Sequence, residues 1–295
     1  MKKWKKTAVF AAFAVLACTT VHAANPGELL LQAVQKMEIN SLNNVIRQGN
    51  GDYVNYMDSK DKTVLMYACE KEWYEGVKSL LEAGANASFK NNFGQTAIMF
   101  AAKECENDAI LKLLVENGAS INAKDNDEKT ALMYAAENKS DQTVNYLLKQ
   151  GANYSATDLY GNNAAMWACK SGSRFTLKKL LDANAVNWEQ CDSEGNNAFM
   201  LACMKGDKGM VQLLISGNSE FDIEKKNDAG YPILIQLIRK KASNAIIEYI
   251  MYEHDPVRLF ELTDGERHNV EYWAKRMKNE TVKRTLENIK KDNDL

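Results

Sequence analysis

The sequence predicts an all-α solenoid, built of stacked helix–turn–helix units joined by hairpin-like loops. Three observations carry the prediction. A seven-residue motif recurs five times: Thr63–Cys69, Thr96–Ala102, Thr130–Ala136, Asn163–Cys169 and Asn197–Cys203, with starts 33, 34, 33 and 34 residues apart. Each copy is followed by a second apolar run that ends in a Leu-Leu pair, from Leu80-Leu81 to Leu213-Leu214. After the pair comes a turn, as in Gly84-Ala85-Asn86, Gly118-Ala119 and Gly151-Ala152-Asn153. A fixed period of this length marks one supersecondary unit, which cannot bury its apolar side alone and so stacks on its neighbours.

Each element of the unit has a local reason. Thr or Asn at the head of the motif is a favoured N-cap, its side-chain oxygen accepting an orphan backbone N–H. Asp or Asn stands five residues earlier each time, at Asp58, Asn91, Asp125, Asp158 and Asp192. Alanines late in the first helix (Ala68, Ala101, Ala135, Ala168, Ala202) let helices approach closely. Gly84, Gly118 and Gly151 follow the second helix, where the chain turns left-handed. Degenerate copies flank the five. Glu28 to Gln48 reads as two helices, Asp228-Ala-Gly-Tyr-Pro opens a weaker unit, and Asp264 to Leu286 a last one with Asn269 as N-cap. The Lys- and Arg-rich end suits a capping helix with a solvated outer side.

This pattern resembles the ankyrin repeat, with its Asp-x-x-Gly-x-Thr-Pro-Leu-His-x-Ala-Ala start and Leu-Leu-x-x-Gly-Ala end, over roughly residues 28–290. The implied division is a leader at 1–23, an N-terminal cap at 24–57, repeats at 58–90, 91–124, 125–157, 158–191 and 192–227, a degenerate repeat at 228–263 and a C-terminal cap at 264–295. The departures are systematic. The family's Pro is Val64, Ala97, Ala131, Ala164 or Ala198, and its His is Met66, Met99, Met133, Met166 or Met200. In the family that His makes a hydrogen bond between loops, so a thioether there implies heavier reliance on apolar packing.

The resemblance implies a protein partner held by the concave side. On a helical wheel Tyr67 falls about 160–180° from the centre of the buried arc, and Phe100, Tyr134, Trp167 and Leu201 share its slot. Two readings stand side by side: an exposed row that meets a partner, or rings lying sideways to close the gaps between repeats. The loop tips, around Lys60, Phe93, Asp127, Tyr160 and Glu194, are the positions with which the family typically binds. Phe93 and Tyr160 are singled out because turns ordinarily take small polar residues.

The N-terminus, Met1-Lys2-Lys3-Trp4-Lys5-Lys6 followed by an uncharged run from Thr7 to Ala17, reads as a secretory signal. The run is well short of the roughly 20 residues a bilayer span needs. Two cut sites compete: Val21-His22-Ala23, freeing Ala24, and a lipobox-like Val15-Leu16-Ala17-Cys18 that would leave Cys18 lipidated. The expectation is an exported, periplasmic protein, with a membrane-anchored lipoprotein or a secreted protein as alternatives. Apart from those four lysines the chain has 33 basic and 39 acidic residues, a mixed balance that gives no reason to expect nucleic acid. Cys69, Cys105, Cys169, Cys191 and Cys203 are odd in number and scattered, unlike a disulfide framework.

No cofactor and no catalytic residue are expected. The two histidines beyond the leader, His254 and His268, lie outside the five clear repeats and lack the spacing of a metal site. A metal-dependent enzyme would have to be built around them. The reading is a non-enzymatic binding module, monomeric when unbound, that acts in the bacterial envelope as an immunity or accessory protein. A secreted effector acting on a foreign or host cell is the alternative.

Overall fold

The computed structural model describes residues 25–49, 53–104, 108–217, 224, 226–253 and 255–295. The leader with Cys18, and also Cys105 and His254, lie outside the described residues.

Among the described residues the chain is helical, with 17 helices and only isolated antiparallel bridges. The N-terminal cap is α1 (Pro26–Gln35) and α2 (Ile39–Gln48). Five helix pairs follow: α3 (Val64–Glu70) with α4 (Tyr74–Glu82), α5 (Ala97–Glu104) with α6 (Ala109–Glu116), α7 (Ala131–Glu137) with α8 (Asp141–Lys149), α9 (Ala164–Ser171) with α10 (Arg174–Asp182), and α11 (Ala198–Lys205) with α12 (Lys208–Gly217). The degenerate unit is α13 (Ile233–Arg239) and α14 (Asn244–Tyr252), and the C-terminal cap α16 (Val270–Arg276) and α17 (Glu280–Asp292). First helices pack on first helices of the next unit, and second on second, so the architecture is two stacked layers. A short extra helix, α15 (Pro256–Glu261), stands between the last two units. It starts where Asp255 accepts the Val257 N–H at 2.8 Å just before Pro256, a start signal outside the repeat period.

The core is one continuous stripe through the stack. Leu80, Leu114, Leu147, Leu180 and Leu214 fill the same slot of the second helix and are fully buried every time. Their Leu neighbours differ in register, since Leu81, Leu148 and Leu181 follow that slot while Leu113 and Leu213 precede it. The methionines in the His slot, Met66, Met99, Met133, Met166 and Met200, are all buried, as expected of packing residues. They also do more than fill space. The backbone N–H of Thr63, Thr96 and Asn163 donates to the sulfur of Met66, Met99 and Met166, each at 3.4 Å. A thioether in the His slot therefore satisfies one of the orphan donors at the helix start.

The predicted caps form at Thr63, Asn163, Asn197 and Asn269, whose side chains accept from the third helical N–H. They do not form at Thr96 and Thr130, whose buried hydroxyl oxygens have no partner.

Candidate partner-binding face

The loop that enters each first helix is organised by the Asp or Asn five residues before the cap. One oxygen of Asp58, Asn91, Asp125, Asp158, Asp192 or Asp264 accepts two backbone N–H groups, from the residues two and four places on, at 2.8–3.2 Å. In the degenerate unit this role falls to Asn227, which accepts the Tyr231 N–H at 3.0 Å. The unit thus begins at residue 227, one earlier than the sequence pattern suggested.

The second carboxylate oxygen reaches the ring slot nine residues on. The Tyr67 hydroxyl donates to Asp58 at 2.8 Å, that of Tyr134 to Asp125 at 2.7 Å, and the indole N–H groups of Trp167 and Trp273 to Asp158 and Asp264 at 2.9 and 2.8 Å. Where the ring has no donor, at Phe100, the loop residue is Asn91, and its amide instead donates to the Gln95 side chain at 3.2 Å. Leu201 faces Asp192, whose carboxylate is taken by Asn196 and by Lys170 at 3.6 Å. The pairing is legible in the sequence as Asp with Tyr or Trp nine residues later and Asn with Phe, a signal that wheel reasoning on the helix alone passes over.

Of the two readings of the ring slot, these contacts are those of rings lying sideways. Tyr67, Phe100 and Leu201 are buried, and Tyr134 and Trp167 half-buried. Tyr67, Tyr134 and Trp167 turn their polar ends to the carboxylate of the preceding loop. Their outer faces carry cations instead. Lys129 lies 4.7 Å from the Tyr134 ring centre and 3.8 Å from that of Trp167, and Lys62 sits 5.0 Å from Phe100. Such contacts add about 0.5–1 kcal/mol each at exposed sites.

The carboxylates and phenols hold each other's charge states. Burial raises Asp58, but the hydrogen bonds from Tyr67, Lys62 and Lys60 outweigh it and hold the carboxyl below its usual range. Asp264 is likewise held low, burial being outweighed by the His268 and Glu266 N–H groups and the indole of Trp273. Burial first, then the bond to Asp58, pushes the Tyr67 hydroxyl up to about 12, and Tyr134 moves in the same direction.

The loop-tip side chains stand in solvent. Phe93 is 59% exposed and Tyr160 63%, and Leu159 joins them at 63%. Their backbones are tied to neighbouring loops: Asn126 N–H donates to Phe93 O at 2.9 Å, Leu159 N–H to Asp127 O at 3.0 Å, and Ser193 N–H to Tyr160 O at 2.8 Å. Tyr160 and Trp167 border a shallow groove of about 300 Å³, crossed by Lys129 and Lys170. A second groove, of about 610 Å³, continues from Glu194 to Trp273 and Arg276.

Among the described residues no three His, Cys, Asp or Glu side chains group as metal ligands would. His268 packs flat on Tyr272, ring centres 3.9 Å apart, with Nδ1 3.3 Å from Asp264. Cys69, Cys169 and Cys203 are buried thiols, and burial pushes Cys169 and Cys203 up, away from thiolate reactivity. No helix of the described residues is long and apolar enough to cross a membrane.

The family comparison agrees with the geometry. The model for ankyrin repeats, which spans three copies, matches at residues 30–125, 65–158, 110–190 and 165–259. Ankyrin repeats are typically non-enzymatic protein–protein interaction modules. The stacked helix pairs, the Asp-organised loops and this match, which together span most of the chain, show that the protein belongs to the ankyrin repeat family.

Proposed function

We propose that this protein is an exported module of the bacterial cell envelope that holds one protein partner across its loop tips and first helices. The observation that carries the reading is the trio Phe93, Leu159 and Tyr160. These large apolar side chains stand in solvent on loops whose backbones are already fixed. Nothing in their own repeats uses them, and exposed aromatic anchors are what interfaces favour. The half-buried rings behind them, Tyr134 and Trp167, offer an edge to the partner while serving the fold. Export rests on the lysine-led apolar leader of the sequence, and an immunity, inhibitor or accessory role in the envelope follows from that location. A secreted effector would use the same face.

The test is capture of a partner from envelope extract by the mature chain, beside F93A/L159A/Y160A. Tyr134 and Trp167 are left intact because they brace Asp125 and Asp158. The triple variant should keep its thermal stability and lose capture; equal capture by a folded variant overturns the reading. Fractionation places the chain: an envelope fraction is expected, and a cytosolic one refutes export. Lipid labelling that survives C18A would exclude the lipobox cut.

A further inference from the structure

Along the first-helix face, the loop residue just before the cap pairs with the residue eight places on in the first, third and fourth repeats. In the first and third repeats the pair is a lysine and a glutamate, Lys62 with Glu70 and Lys129 with Glu137, both at 2.7 Å. In the fourth the order reverses. Lys170 now holds the later position, bound by the Asn162 side chain and facing Asp192 at 3.6 Å. In the last two units the later position is Arg239 or Arg276, and the earlier one is Tyr231 or His268. Among the described residues neither guanidinium has a carboxylate within ion-pair distance.

Rings hold these arginines in place of acids. The Arg239 guanidinium lies 3.5 Å from the Tyr231 ring centre and 4.7 Å from that of Trp273, the two rings being edge to face. Arg276 lies 5.7 Å from the Trp273 ring centre and donates to the Tyr272 hydroxyl at 3.0 Å. A stacked guanidinium keeps its N–H fork at the ring edge, in the plane that matches a carboxylate. Both arginines line the groove of about 610 Å³, together with Lys240, against the acids Glu194 and Asp228. Glu194 is already held by Lys240 at 3.7 Å, which leaves the two arginines against Asp228 and one positive charge in surplus. Gln236 lines the same groove. Its amide donates to Asn196 at 2.8 Å, while its buried Oε1 accepts from nothing, which is uncommon for a buried polar atom.

We infer that this groove is a carboxylate-binding subsite, shaped for an acidic segment of the protein partner. Side-chain carboxylates meet the forks of Arg239 and Arg276. The inference deepens the proposed function, because it rests on the same face receiving a protein.

The test titrates a blocked hexaglutamate peptide into the mature chain by calorimetry at low salt, with R239M/R276M and R239K/R276K as variants. Binding to the native chain is expected, with affinity falling as salt rises. The methionine pair should weaken it at least tenfold and the lysine pair several-fold, since charge remains but the flat fork is lost. Thermal unfolding checks each variant, and if the methionine pair does not fold, the lysine pair decides. Absence of binding to the native chain, or unchanged affinity in the folded variants, overturns the inference. So does displacement of the peptide by inorganic phosphate at matched ionic strength, which would mark a general anion site. The two readings fail separately. Loss of the subsite with tip-dependent capture intact removes only this inference. Arginine-dependent peptide binding with capture indifferent to the tips removes only the tip reading.

Discussion

The carboxylate–ring bond in the fourth repeat can be tested by a double-mutant cycle on Asp158 and Trp167. Oδ1 of Asp158 accepts the Tyr160 and Asn162 N–H groups at 2.9 and 2.8 Å, while Oδ2 accepts the Trp167 indole at 2.9 Å and the Asn162 amide at 3.2 Å. D158N keeps one oxygen for the backbone pair, as Asn91 does, but turns an NH₂ towards two donors. A hydrogen bond to a charged group contributes about 1.5–3 kcal/mol, so D158N should cost about 2 kcal/mol. W167F removes the same bond and weakens the close contact with Lys129, and should cost about 2–3 kcal/mol. The double variant approaches the Asn91 and Phe100 arrangement of the second repeat, and should cost about 1.5 kcal/mol less than the sum of the singles. Urea unfolding followed by circular dichroism, with equal slopes across the four proteins, reads the cycle. Additivity within about 0.5 kcal/mol would refute the claim that loop and ring are matched to each other.

Other perturbations follow from the same geometry. M166A should cost about 2–5 kcal/mol through its cavity, because Met166 is fully buried. M166L should cost less than about 1.5 kcal/mol, the remainder being the Asn163 N–H that loses its sulfur; equal losses in chemical denaturation would contradict this. G84A, at a left-handed φ of 90° with open space around it, should cost about 1–2 kcal/mol. G195A should cost clearly more, since its Cβ would lie 2.2 Å from the Asp228 backbone nitrogen; equal costs would refute the close approach of those loops. On the acid side, Asp58 and Asp264 are held low, so their stabilisation is complete above about pH 4 and is lost as pH falls through their folded values. On the alkaline side, Tyr67 is raised to about 12, so its contribution is complete below about pH 10 and is lost as pH rises through 12. Melting temperatures across pH should show both limbs, and Y67F/Y134F should flatten the alkaline one.

The stacked fold was legible because helix period and repeat period are properties of residue spacing alone. The loop tips were legible too, since Phe93 and Tyr160 are chemically out of place in a turn. The ring slot stays open between two readings in the sequence because a wheel places directions around one helix. It does not show the carboxylate that the preceding loop folds back to Tyr67 or Trp167. The sulfur caps escaped notice for a related reason: Met66 and its kin look purely apolar until their distance to the Thr63 N–H is known. Helix α15 and the start of a unit at Asn227 fall where the repeat is most degenerate, so the periodic argument had least purchase there. Arg239 and Arg276 carry no sequence motif; only the side-chain pairing eight residues apart distinguishes them from solvated charges.

The loop-to-loop bonds through Phe93, Asp127 and Tyr160 have a consequence for kinetics. A partner docking as proposed would meet tips whose spacing is set before contact, so little conformational freedom would be surrendered and affinity would not be spent on ordering. Association should then proceed as a nearly rigid encounter, and lifetimes of complexes with tip variants should change far more than their rates of formation. The same registration makes each tip answerable to its neighbours: an insertion in one loop would displace the anchors on either side, and recognition would fail over several repeats at once.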